Sequence, residues 1–200
     1  MKITIVYDNN AREGLKSGWG FSCFIEDDKK ILFDTGDDSE KLLFNMEKLD
    51  IKLEDIDVIV LSHEHWDHAG GLNGLLEIIP KVRVIKPNEF SEVKKITEEI
   101  YSTGKLDGIA EEQSLIVKTE KGNIVITGCA HPGLKKIIEK ASSLGKIYGI
   151  IGGFHGFKEF DFLKGIKLIA PCHCTQHIDE IKKHFPAEFK EIMAGDIINA

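Results

Sequence analysis

Four metal-ligand side chains fall within six positions of one another: His63, His65, Asp67 and His68, inside the run Ser62-His63-Glu64-His65-Trp66-Asp67-His68. Neutral imidazole binds zinc or iron through one ring nitrogen, and a carboxylate adds an oxygen donor and negative charge. The cluster directly follows Val58-Ile59-Val60-Leu61, an uninterrupted apolar run of the kind found in strands covered on both faces. A loop leaving that strand end can turn His63 and His65 toward one metal and Asp67 and His68 toward a second. Gly70-Gly71 lets the backbone turn tightly and pack close to the sheet. Without a metal, four such side chains are a poor way to end a strand.

Three more histidines sit just beyond apolar stretches. His131 follows Asn123 to Thr127 through Gly128-Cys129-Ala130. His155 follows Ile147 to Ile151 through Gly152-Gly153-Phe154, and His173 follows Lys167 to Ala170 through Pro171-Cys172. Ligand sites in α/β sheets gather at one end of the strands, so three histidines at equivalent strand ends read as further ligands. His177 and His184 lie in or beside a terminal helical stretch and read as surface or capping residues. The four cysteines, Cys23, Cys129, Cys172 and Cys174, form no CxxC pair. They read as buried thiols in a reducing compartment rather than as a zinc ribbon or an iron–sulfur site.

The elements that must position these residues follow from patterning. Strands are expected at Ile3 to Tyr7, Trp19 to Glu26 and Lys30 to Phe33, the last closed by Asp34-Thr35-Gly36. A helix is expected from Ser39 to Leu49, with Leu42, Leu43, Met46 and Leu49 on one face. Beyond the histidine loop come a helix from Gly71 to Ile79, a strand from Val82 to Ile85 and a helix from Glu89 to Ser102. Strands at Ser114 to Val117 and Asn123 to Thr127 then meet at a Glu120-Lys121-Gly122 turn. Helix Leu134 to Ser142, strands Ile147 to Ile151 and Lys167 to Ala170, and helix Ile178 to His184 complete the pattern. Pro87 to Gln113 reads as a candidate lid. Strands followed by βα units occur in two rounds, which points to an α/β fold of two sheets with helices outside, in four layers.

At 200 residues the chain suits one domain, spanning 1–200, with a sizeable core. The net charge of −7 argues against a broad nucleic-acid-binding face. No apolar run approaches the roughly 20 residues of a membrane helix, and the chain reads as cytoplasmic.

The His-x-His-x-Asp-His loop, the following Gly70-Gly71 and the upstream Phe33-Asp34-Thr35-Gly36 resemble the metallo-β-lactamase superfamily, over essentially the whole chain. A closer resemblance is to its dihydropterin ribofuranosyl-aminobenzene phosphate synthase-like branch, through Thr127 to Gly133, Gly152 to His155, and His173 to Thr175. The resemblance implies a four-layer αββα sandwich. It also implies that His63, His65 and His131 hold a first metal, that Asp67, His68 and His173 hold a second, and that Asp34 orients a ligand or the loop. One departure stands out: the superfamily usually places an aspartate bridging both metals at the end of strand Ile147 to Ile151, and His155 occupies that place here.

The expected activity is metal-dependent hydrolysis of an ester or phosphoester, a metal lowering the pKa of water to about 7. Asp67 and His155 are the candidate catalytic residues. The expected cofactor is zinc, in up to two sites with the second held less tightly, or else iron or manganese. With one ligand carboxylate the site keeps excess positive charge, which favours an anionic small-molecule substrate. Two other readings are a di-iron redox or oxygen-handling protein and a metal-binding domain without catalysis.

Overall fold

Period-two alternation and short apolar runs become twelve strands, joined by five helices, in the computed structural model, which describes residues 1–200. In chain order they are β1 (Lys2–Tyr7), β2 (Ser22–Glu26), β3 (Lys30–Phe33), α1 (Ser39–Lys48), β4 (Val58–Val60), α2 (Trp66–Ala69), α3 (Leu72–Ile78) and β5 (Arg83–Ile85). There follow β6 (Lys94–Lys95), β7 (Ile100–Ser102), β8 (Leu115–Thr119), β9 (Gly122–Thr127), α4 (Leu134–Ser142), β10 (Ile147–Gly153), β11 (Leu168–Cys172), α5 (Ile178–His184) and β12 (Ile197–Asn199). The chain divides into two compact units, one of Met1–Lys86 with Met193–Ala200 and one of Pro87–Ile192.

The first unit carries a six-stranded sheet in the order β12-β1-β2-β3-β4-β5. β1, β2 and β3 run antiparallel, whereas β3, β4 and β5 are parallel. All three residues of β4 are buried, as an apolar run without alternation requires. Leu42 and Met46 of α1 and Leu75 of α3 pack on Val6, Phe24, Leu32 and Ile59 of the sheet. Each such side chain contributes about 1.5–3 kcal/mol when fully buried. α1 starts where the Asp38 carboxylate accepts from Lys41 N at 3.1 Å, a side-chain cap on an otherwise unbonded donor.

The second unit carries the other six-stranded sheet, β11-β10-β9-β8-β7-β6. β9, β10 and β11 are parallel, with Gly152 beside Thr127 and Gly153 beside Cys172. α4 lays Leu134, Ile137, Ile138 and Ala141 into a core with Val125, Ile150 and Ile169. β11 is the last strand of the sheet, and its outer side meets only a single bridge from Ile169 to Phe189, an edge position that accommodates Pro171.

The helix expected at Glu89 to Ser102 does not form. β6 and β7 make an antiparallel pair there, Lys94 opposite Ser102 and Lys95 opposite Tyr101. β7 continues the sheet through Ile100↔Val117 and Ser102↔Leu115. Helix-forming Glu and Lys are outweighed by long-range strand pairing that buries Ile100 and Ser102. Pro87 to Gln113, expected as a lid, supplies this sheet edge. The strand expected from Trp19 begins only at Ser22, because Trp19 is half exposed and Gly20 and Phe21 bond to loop atoms.

Candidate metal centre

In the first unit, parallel pairing brings two loop starts together. Phe33 lies beside Val60 in register, so Asp34 and Ser62 emerge from adjacent strand ends. Asp34 N donates to Val60 O at 2.9 Å, and Asp34 holds φ +58, a left-handed conformation that aspartate tolerates better than most residues. Its fully buried carboxylate is then fully used. Oδ1 accepts from Ser62 N at 2.6 Å, and Oδ2 accepts from Ser62 Oγ at 2.7 Å. Oδ2 also lies 2.7 Å from His68 Nδ1.

These bonds fix two imidazoles. A carboxylate that accepts from an N–H and an O–H is ionised and only accepts, so His68 carries its proton on Nδ1. Ser62 has given its hydroxyl proton to Asp34 and can only accept from His63 Nδ1, 2.8 Å away. In the neutral ring each therefore exposes Nε2 as a lone pair, the state a metal ligand needs. The ligand atoms of His63 and His65 lie within 4.8 Å of each other, as do those of Asp67 and His68. His63 stacks near both other imidazoles, with ring centroids 4.6 Å from His65 and 4.2 Å from His68.

The α2 turn is anchored from behind, since the His68 carbonyl accepts from Thr35 N at 2.7 Å and from Thr35 Oγ1 at 2.9 Å. Gly70 and Gly71 do what their spacing suggested. A Cβ on Gly70 would lie 2.5 Å from Asp37 O, and one on Gly71 would lie 2.3 Å from Thr35 O.

In the second unit, β9, β10 and β11 deliver His131, His155 and His173 to the same end of the sheet. His155 and His173 have φ of +47 and +49, and Ala130, just before His131, has φ +58. Non-glycine residues held in this region cost energy and cluster at functional sites. The turns are tied together: Thr127 Oγ1 donates to Gly153 O at 2.9 Å, and Phe154 N donates to Thr175 Oγ1 at 3.0 Å. The His131 and His155 rings lie 5.4 Å apart by centroids. With Ile109, Leu134, Phe154 and Phe157 they line a cleft of about 270 Å³. Burial, with His131 nearby, holds the His155 pKa below the usual imidazole range, so this ring is neutral at neutral pH.

Two contributors went unassigned at the level of sequence. Glu112 is completely buried and accepts backbone N–H groups from Cys129, Ala130 and His131, with His131 Nδ1 also 3.0 Å away. Cys129 places its sulfur within 4.8 Å of the His173 ligand atom, and thiolate is a zinc and iron donor. The four cysteines form no disulfide, and all but Cys174 are buried. His177 and His184 stay apart, bonding to Glu180 in and beside α5.

The donors present fit a metal: imidazoles locked as Nε2 lone pairs, a carboxylate and a thiol. No helix is long and apolar enough to cross a membrane.

The chain is 30% identical over 247 aligned residues to the 7,8-dihydropterin-6-methyl-4-(beta-D-ribofuranosyl)-aminobenzene-5'-phosphate synthase of Methanocaldococcus jannaschii, covering 85% of this chain and 84% of that one. It superposes on the crystal structure of a metal-dependent hydrolase of the beta-lactamase superfamily with a TM-score of 0.84 at 24% identity, covering 100% of this chain and 99% of that one. The metallo-beta-lactamase fold protein YhfI from Bacillus subtilis gives a TM-score of 0.71 at 13% identity, over 99% of both chains. Residues 20–152 match the metallo-beta-lactamase family itself, and with an α/β architecture of two sheets to the same pattern, the chain belongs to the metallo-beta-lactamase superfamily.

Proposed function

We propose that the protein is a metal-dependent hydrolase acting on an ester or phosphoester of an anionic small molecule. The observation that carries this reading is the contact made by each Nδ1 of His63 and His68, with Ser62 Oγ at 2.8 Å and Asp34 Oδ2 at 2.7 Å, which in the neutral ring leaves Nε2 as a lone pair.

In this reading His63, His65 and His131 hold one metal, and Asp67, His68 and His173 hold a second. When bound, such metals lower the pKa of water and polarise the oxygen under attack. Zinc fits the nitrogen, oxygen and sulfur donors best, and iron or manganese is the alternative. Asp67 orients the attacking water through its carboxylate. His155, neutral at working pH, donates or accepts a hydrogen bond at the substrate, and the apolar cleft beside it takes the uncharged part. The phosphate in the name of the M. jannaschii relative supports a phosphate-bearing substrate, and four cysteines without a disulfide suit a reducing cytoplasm.

The test is metal analysis of the purified protein, followed by assay on phosphomonoesters, phosphodiesters, thioesters and lactones. Hydrolysis of an anionic ester that is lost on chelation, restored by zinc and abolished in Asp67→Asn is the expected result. Stoichiometric metal with no hydrolysis of any of these classes would overturn the reading. Two redox-active irons would favour the oxygen-handling alternative.

A further inference from the structure

We propose that Glu112 is the positioning residue for His131: it builds the turn that presents this histidine and sets the tautomer in which it binds metal. The proposal deepens the metal reading above and rests on it.

Glu112 comes from the segment between β7 and β8, held there by paired backbone bonds with Leu106 at 2.9 and 3.1 Å. Its carboxylate is fully buried. Oε1 accepts from Cys129 N at 3.1 Å and Ala130 N at 2.9 Å. Oε2 accepts from His131 N at 3.0 Å and lies 3.0 Å from His131 Nδ1. Three consecutive backbone N–H groups thus converge on one side chain, as they do around a bound anion. This convergence requires Ala130 to sit at φ +58, so the carboxylate offsets the strain of that residue.

Three backbone N–H groups donate to the Glu112 carboxylate, which favours its ionised, acceptor-only form. His131 must then carry its proton on Nδ1, leaving Nε2 as the lone pair. The second unit so repeats the arrangement of Asp34 and His68 in the first, with a different residue from a different kind of element. A buried negative charge one ring away from the ligand nitrogen also strengthens that nitrogen as a donor. This matters in a site where a histidine stands in place of a bridging acid.

Glu112→Gln is the test, made in the full-length protein. The amide keeps one oxygen and turns the other into a donor facing His131. Expected results are a shift of His131 toward the Nε2–H tautomer in the metal-free protein, read by long-range proton–nitrogen NMR of labelled histidine, and a 10–100-fold loss of zinc affinity by calorimetric titration. Glu112→Asp, which keeps the charge on a shorter stem, should bind zinc more tightly than Glu112→Gln. A folded Glu112→Gln protein with the parent's tautomer and affinity would overturn the proposal. The parent alone supplies a second test that needs no variant to fold: metal-free His131 protonated on Nε2 also overturns it. His131→Ala separates this failure from failure of the metal reading. If that variant binds zinc like the parent, the ligand assignment itself is wrong; if it loses zinc while Glu112→Gln does not, only the role of Glu112 falls.

Discussion

Replacing Asp34 by asparagine should separate metal affinity from folding stability. Asp34 takes Ser62 N at 2.6 Å on Oδ1, and Ser62 Oγ and His68 Nδ1 at 2.7 Å each on Oδ2. Asparagine keeps the first bond and turns the second oxygen into an N–H₂ facing two donors. Hydrogen bonds to a charged group are worth about 1.5–3 kcal/mol each, so the gross loss is about 3–6 kcal/mol. Removing a fully buried charge recovers several kcal/mol of desolvation, and asparagine tolerates φ +58. The net loss of folding free energy should therefore stay under about 3 kcal/mol. Metal binding has no such offset. The amide now donates, so His68 must accept at Nδ1 and carry its proton on Nε2, where it cannot ligate. Zinc affinity should fall 10–100-fold, or about 1.4–2.8 kcal/mol. Urea unfolding of the metal-free protein and calorimetric zinc titration measure the two quantities separately. A folded variant that binds zinc within twofold of the parent would refute the tautomer argument.

Three further outcomes are expected. Gly71→Ala should lower stability by about 1–3 kcal/mol by overpacking, because its Cβ would sit 2.3 Å from the backbone oxygen of Thr35; an unchanged thermal midpoint would show that the loop yields. Burial, and secondarily Asp34, pushes the Cys23 thiol well above its ordinary range, whereas the hydrogen bond with Cys129 holds Cys174 below it. Reactivity follows the thiolate, so at pH 8 the native metal-free protein should alkylate Cys174 first and Cys23 last, a sequence that mass spectrometry reads directly and that equal rates would contradict. His155→Asp should raise zinc stoichiometry toward two and weaken binding of anionic substrates, and calorimetry showing unchanged stoichiometry and affinity would mean that His155 faces elsewhere.

The candidate loop was legible in the sequence because its donor side chains are local: His63 to His68 follow a buried strand within six residues. α4 and α5 were legible to the residue, since their apolar spacing is regular and glycine or proline stands nearby. Glu112 was not, because it lies 19 residues from the His131 it holds and meets it only after β8 and β9 have paired. Nothing in its neighbourhood distinguishes it from the adjacent Glu111, which is exposed and pairs with Lys105 at 2.8 Å. The same non-local pairing turned Glu89 to Ser102 from an expected helix into strands. Cys129 was visible as a residue beside a ligand, but its nearness to His173 depends on the register of β9, β10 and β11. β12 escaped notice because three residues carry too little pattern.

That short strand also orders the events of synthesis. β12 pairs with β1, Lys2 opposite Asn199 and Thr4 opposite Ile197, although residues 87–192 of the other unit intervene. As the chain leaves the ribosome, the second unit is one unbroken stretch and can complete its hydrogen bonds as soon as it has emerged. The first unit, begun earlier, keeps the outer edge of β1 unpaired until residues 197–199 arrive. An open strand edge is a template for pairing with other chains, so β1 offers such a template during synthesis until β12 docks and covers it.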